Sequence, residues 1–80
     1  MEYKITFNND IERVTDFVRI CETFTENIDV IAGRYIVDAK SLMGVIAVCT
    51  TSSLKVRIIT SNVYAIADFY DAIRDFIVEE

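Results

Sequence analysis

The side chains able to do chemistry in this chain are few, and their types narrow the options sharply. There is no histidine, which removes a phosphohistidine, an imidazole metal ligand and the commonest general base at once. Cys21 and Cys49 are not in a C-x-x-C arrangement, and two thiols without His do not complete the usual tetrahedral zinc shell, so both are expected as small buried hydrophobes. No Cys-His or Ser-His-Asp set and no Gly-rich phosphate loop is present. Asp68, Asp71 and Asp75 read as the solvated face of a helix rather than as an acid-base pair. The expectation is a protein that is not an enzyme and takes no metal or cofactor. One local arrangement invites a functional reading, which is Ser41 followed by Leu42, Met43 and Val45. A phosphate on a serine that opens a helix would meet free backbone N–H groups and a favourable dipole, and the adjacent Met and Leu would supply an adaptable docking surface. The plain alternative is a serine that caps the helix and does nothing more.

The elements that must position these residues come from one small domain. Eighty residues with two Gly and no Pro leave room for a single core and little loop. Eight basic against thirteen acidic residues give 8 − 13 = −5, which disfavours a nucleic-acid footprint and points to proteins or cationic surfaces as partners. The N-terminus lacks the basic and apolar regions of a secretion signal, and the longest apolar run, Leu42 to Cys49, is far short of the ~20 residues that span a bilayer. A soluble, cytoplasmic protein without membrane contact is expected.

Tyr3, Ile5 and Phe7 alternate with polar residues as a first strand. Asn8, Asn9 and Asp10 offer N-caps; with Asn9 at the cap, Glu12 completes an approximate capping box for a helix over about Asp10 to Phe24. Its apolar stripe is Ile11, Val14, Val18 and Cys21, widened by Phe17 and Phe24. Ile28, Val30 and Ala32 form a second strand, and Gly33-Arg34 a two-residue hairpin loop that sets Ala32 opposite Tyr35. Tyr35 and Val37 then share the dry face, while Ile31 and Ile36 look outward. Ser41 caps a helix of about two turns, weakened by Gly44, and Leu54, Val56 and Ile58 form a fourth strand. Ser61 or Asn62 caps a last helix with Val63, Ile66, Tyr70, Ile73 and Ile77 inward, Phe69 and Phe76 widening the stripe, and Asp68, Asp71, Asp75 and Glu79 outward.

The order β-α-β-β-α-β-α is satisfied most simply by an α+β open-faced sandwich, a four-stranded antiparallel sheet covered on one face by three helices. The open face suits Lys4, Thr6, Lys55 and Arg57, and Ile31, Ile36 and Ile59 permit a homodimer contact without requiring one.

The run Asp38-Ala39-Lys40-Ser41-Leu42-Met43-Gly44-Val45 closely resembles the regulatory-serine segment of HPr, the small phosphocarrier of the bacterial sugar phosphotransferase system. The element order is also that family's order, and the resemblance extends over almost the whole domain, in pattern only outside the segment. It implies that Ser41 is the regulatory phosphorylation serine and that Leu42 and Met43 belong to the patch contacted by HPr kinase and partner proteins, with Val45 expected beside them as a protein-binding residue. Phosphocarrying members open the first helix with His-Ala-Arg-Pro. Counting back from Ser41 without gaps places Asp10 at the His, followed by Ile11, Glu12 and Arg13, so His, Arg and Pro are all missing in register. The resemblance therefore implies an HPr-like protein without phosphocarrier activity, working as a regulatory or protein-binding module. Two alternatives stand beside it: Asp10 as a phosphoryl acceptor, opposed by the charge of Glu12, and an unrelated ferredoxin-like or ACT-type domain that binds a small ligand or dimerises.

Overall fold

The alternation at the N-terminus is realised as strand β1 (Glu2–Ile5), with Phe7 buried just beyond it. The computed structural model describes residues 1–78. After β1 come helix α1 (Ile11–Glu22), strands β2 (Asn27–Ala32) and β3 (Tyr35–Asp38), helix α2 (Leu42–Val48), strand β4 (Leu54–Ile59), helix α3 (Val63–Ala72) and a 3₁₀ turn (Arg74–Phe76). The strands form one sheet in the order β1-β4-β2-β3, with every pairing antiparallel. Apart from the added 3₁₀ turn, the expected element order and the open-faced α+β architecture are what the chain adopts. A ferredoxin-like sheet is built on a split βαβ unit and so contains a parallel pair; among the described residues this sheet has none, which sets the ferredoxin-like or ACT-type alternative aside.

Period-2 burial runs through the central strands: Ile28, Val30 and Ala32 of β2 and Leu54, Val56 and Ile58 of β4 point under the helices. Val14, Phe17, Val18 and Cys21 of α1 and Phe69 and Ile73 from the last helical segment close over them. At one end, Phe7, Phe17 and Phe76 pack edge to face, with centroids 5.2, 5.3 and 6.1 Å apart. On the open face Arg57 pairs with Asp29 at 3.3 Å and Glu2 at 3.7 Å. Among the described residues no helix is long and apolar enough to cross a membrane.

Several expectations are corrected. The α1 cap is Asp10 rather than Asn9, because Asn8 and Asn9 adopt positive φ (54° and 57°) and the extended backbone of a cap is first reached at Asp10. Asparagine is one of the few residues that tolerates that left-handed turn. The helix ends at Glu22, and Phe24 packs from beyond it, edge-on to Phe69. Ile11 is exposed, since it opens the helix one turn ahead of the buried stripe. Tyr35 is exposed as well: β3 is an edge strand, and the helices do not reach its first residue.

Helix α3 stops at Ala72 instead of running on to Ile77, and its buried stripe is Ala65, Phe69 and Ile73, leaving Val63 and Tyr64 exposed. The early stop has a clear cause in the hydrogen bonds that follow. Thr6 N–H donates to Phe76 O, Ile77 bridges Ile5, and Val78 N–H donates to Lys4 O. The chain after Ile73 thus lies along the outer edge of β1, which a continuing helix could not do. Glu79, expected on the outer face of α3, lies outside the described residues. Ile31, Ile36 and Ile59 do not form one patch: Ile31 pairs with Ile36, and Ile59 is separated from them along β4 by Arg57.

Candidate functional site

The tight turn after β1 sets the start of α1. Asp10 N–H donates to Phe7 O, and the Asp10 carboxylate accepts from Glu12 N–H at 2.9 Å. Its carbonyl takes Arg13 and Val14 N–H, so Asp10 is committed to the first turn as a helix cap. Arg13 reaches the other end of the chain. Its Nη2 donates to Asp75 O at 2.8 Å, and its guanidinium carbon stands 4.6 Å from the Phe76 ring centroid. Its Nε is buried and has no partner among the described residues. An arginine held this way ties α1 to the C-terminal turn, with one Nη2 donor fixed on Asp75 O.

Ser41 is placed by the exit from β3. Asp38 holds the bend twice, its carboxylate accepting from Lys40 N–H and its carbonyl from Ser41 N–H, while Lys40 Nζ donates to Phe24 O. Ser41 is half-buried and caps α2, with Oγ accepting from Gly44 N–H at 3.3 Å. Gly44 has a steric reason: a Cβ there would lie 3.3 Å from Ser41 Oγ and 3.5 Å from Val37 Cβ, so the glycine lets cap and strand approach the helix closely. Leu42 (39% exposed) and Met43 (77% exposed) project outward. Val45, expected beside them on the contact surface, is fully buried. Two residues along a helix is a rotation of about 200°, so Val45 faces away from the outward Met43 and joins the core.

Helix α2 packs against α1, and the groove where the end of α2 meets the start of α1 holds about 190 Å³. Phe7, Ile11, Val14 and Cys49 line it together with Asp10 and Thr50. Ile11 is therefore exposed apolar surface beside the end of α2, a role that sequence periodicity concealed by assigning it to the core. The two thiols differ: Cys49 is half-buried, while Cys21 is fully buried and its thiol is pushed up to about 12 by that burial. The structure thus keeps Ser41, Leu42 and Met43 together, puts Asp10 at the other helix start, withdraws Val45 into the core and ties the half-buried Arg13 to the C-terminal turn.

Two solved structures align over essentially this whole arrangement. HPr-C-His from Thermoanaerobacter tengcongensis is 24% identical, with a TM-score of 0.71 over 100% of this chain and 98% of its own. The fold is that of HPr. The histidine-containing phosphocarrier protein of Mycoplasma superposes as well, at 17% identity and a TM-score of 0.71, covering 99% of this chain and all of its own. The sequence matches no family model and no curated protein, so the HPr likeness is carried by backbone topology and by the segment around Ser41.

Proposed function

We propose that this chain is a divergent member of the HPr family that has given up phosphoryl transfer and acts by binding, as a regulatory module of the phosphotransferase system or of proteins allied to it. The observation that carries this reading is the pairing of an accessible segment with a spent site. Ser41 opens α2 beside the outward Leu42 and Met43, whereas the first turn of α1 offers a carboxylate already bonded to Glu12 N–H and an arginine tied to Asp75 and Phe76. Phosphoryl transfer needs a nucleophile with positive groups ready to receive the anion. Asp10 has Glu12 in that place, and no histidine exists elsewhere in the chain.

The partners implied are HPr kinase at Ser41 and proteins that read the Leu42–Met43 surface. Apolar, flexible Met side chains suit such a contact because they repack against partners of differing shape. The test of lost phosphotransfer is incubation with enzyme I and labelled phosphoenolpyruvate. No label should be retained on the chain, and a labelled, base-labile acyl phosphate that disappears in Asp10→Asn would replace this reading with an Asp10 phosphocarrier.

A further inference from the structure

The two edges of the sheet are treated differently. The β1 edge is covered, since Phe76 O, Ile77 and the Val78 N–H lie along it. Among the described residues no strand pairs with the outer edge of β3. Natural edge strands are blunted by shortness, charge, a Pro, a bulge or a covering segment; Tyr35-Ile36-Val37-Asp38 is short and ends in a charge but carries no Lys or Pro, with Tyr35 66% and Ile36 57% exposed.

The backbone phase of that edge can be worked out. Ala39 N–H donates to Ile28 O, so Ala39 faces β2, and by the alternation of an antiparallel ladder Val37 and Tyr35 do too. The groups aimed away from the sheet are then Arg34 C=O, Ile36 N–H and C=O, and Asp38 N–H. The next carbonyl, Asp38 C=O, is closed off by Ser41 N–H. Antiparallel pairing of this edge with itself about Ile36 uses every one of the open groups. Ile36 exchanges two hydrogen bonds with the other Ile36, and each Asp38 N–H meets the opposite Arg34 C=O.

Side chains agree with the same register. Arg34 falls opposite Asp38 twice, giving two opposite-charge pairs, and Tyr35 falls opposite Val37 at the closely spaced, non-hydrogen-bonded positions where aromatic and β-branched residues pack well. A slip of one residue sends each side chain to the wrong face, and a slip of two loses the charge pairs. We infer that β3 is a self-association edge, on which a second copy of this chain adds antiparallel about a twofold axis at Ile36 to make a continuous eight-stranded sheet. The contact is isologous, so it closes at the dimer. The Arg34–Asp38 pairs set its register more than its strength.

Analytical ultracentrifugation across a concentration series tests this. Wild type should show a reversible monomer–dimer equilibrium. Ile36→Pro removes an N–H that faces away from the sheet, which an edge strand tolerates, so it should retain the far-UV circular dichroism of wild type while raising the dimer dissociation constant tenfold or more. Arg34→Asp and Asp38→Arg should each weaken the dimer, and a mixture of the two should associate more tightly than either alone, because only the heterodimer pairs both charges correctly. A wild type that stays monomeric at millimolar concentration overturns the inference, whether the edge accepts another protein's strand or nothing. A dimer indifferent to Ile36→Pro, or a mixture that associates no more tightly than either variant alone, overturns it equally.

Discussion

Removing the Arg13 side chain should destabilise the fold although Arg13 is a surface-helix residue of a type usually neutral to replace. Its guanidinium sits 4.6 Å from the centre of the buried Phe76 ring and donates to Asp75 O at 2.8 Å, fastening α1 to the C-terminal turn. A partly desolvated cation–π contact contributes roughly 0.5–2 kcal/mol, and a hydrogen bond from a charged donor roughly 1.5–3 kcal/mol. The unpartnered, buried Nε offsets part of this, since its desolvation is lost with the side chain. The net cost of Arg13→Ala is therefore about 2 kcal/mol, worth roughly 8–16 °C in melting temperature for a domain of this size. Urea unfolding followed by circular dichroism reads it. A double-mutant cycle with Phe76→Leu, which keeps bulk and removes the ring face, should return a coupling of about 0.5–1 kcal/mol. An Arg13→Ala variant within about 0.5 kcal/mol of wild type, the usual range for a neutral surface substitution, would refute the tie and leave Arg13 available for an anion.

Four further outcomes follow from the structure. Ser41→Ala loses the acceptor for Gly44 N–H and should cost about 1 kcal/mol in urea unfolding, with Ser41→Asp restoring most of it. Met43→Glu should leave stability within about 0.5 kcal/mol of wild type, whereas Val45→Ala should lose about 1–3 kcal/mol as a buried truncation, a contrast that chemical denaturation resolves directly. In the native state Cys49 should alkylate while Cys21 should not, as peptide mapping after iodoacetamide would show. Because burial raises the Cys21 thiol from 9.0 to about 12, the folded state keeps a proton that the unfolded state releases. Stability should thus fall as pH climbs from about 9 towards 12, by up to ~1.4 kcal/mol per pH unit, and Cys21→Ala should flatten that slope. Tyr3, also raised by burial and by its neighbour Tyr70, acts in the same direction and would remain in the variant.

The fold was legible wherever a local rule governs. Strand alternation, the Gly33-Arg34 hairpin with Ala32 against Tyr35, and the Ser41 cap all follow from patterns within a few residues, and each is found in the structure. What the sequence concealed depends on contacts distant along the chain. The stripe from Val63 to Ile77 reads as one helix, yet hydrogen bonds from Thr6 and to Lys4 draw its last third onto the β1 edge. Arg13 carries no local sign that its partners are Asp75 and Phe76. Val45 looks like its neighbours Leu42 and Met43, and only the packing of α2 on the sheet separates a core residue from a contact surface. The site was therefore half legible: the segment announces itself, while the division of its side chains between core and solvent is a tertiary fact.

The measurement that bears most directly on the regulatory reading is site-resolved mass spectrometry of the folded protein after incubation with HPr kinase and ATP. A single phosphate on Ser41, absent from Ser41→Ala and reduced by Met43→Glu through loss of the docking surface, is the expected result. An unmodified Ser41 under conditions that phosphorylate an HPr control would contradict it, and would leave this serine as no more than the cap of α2.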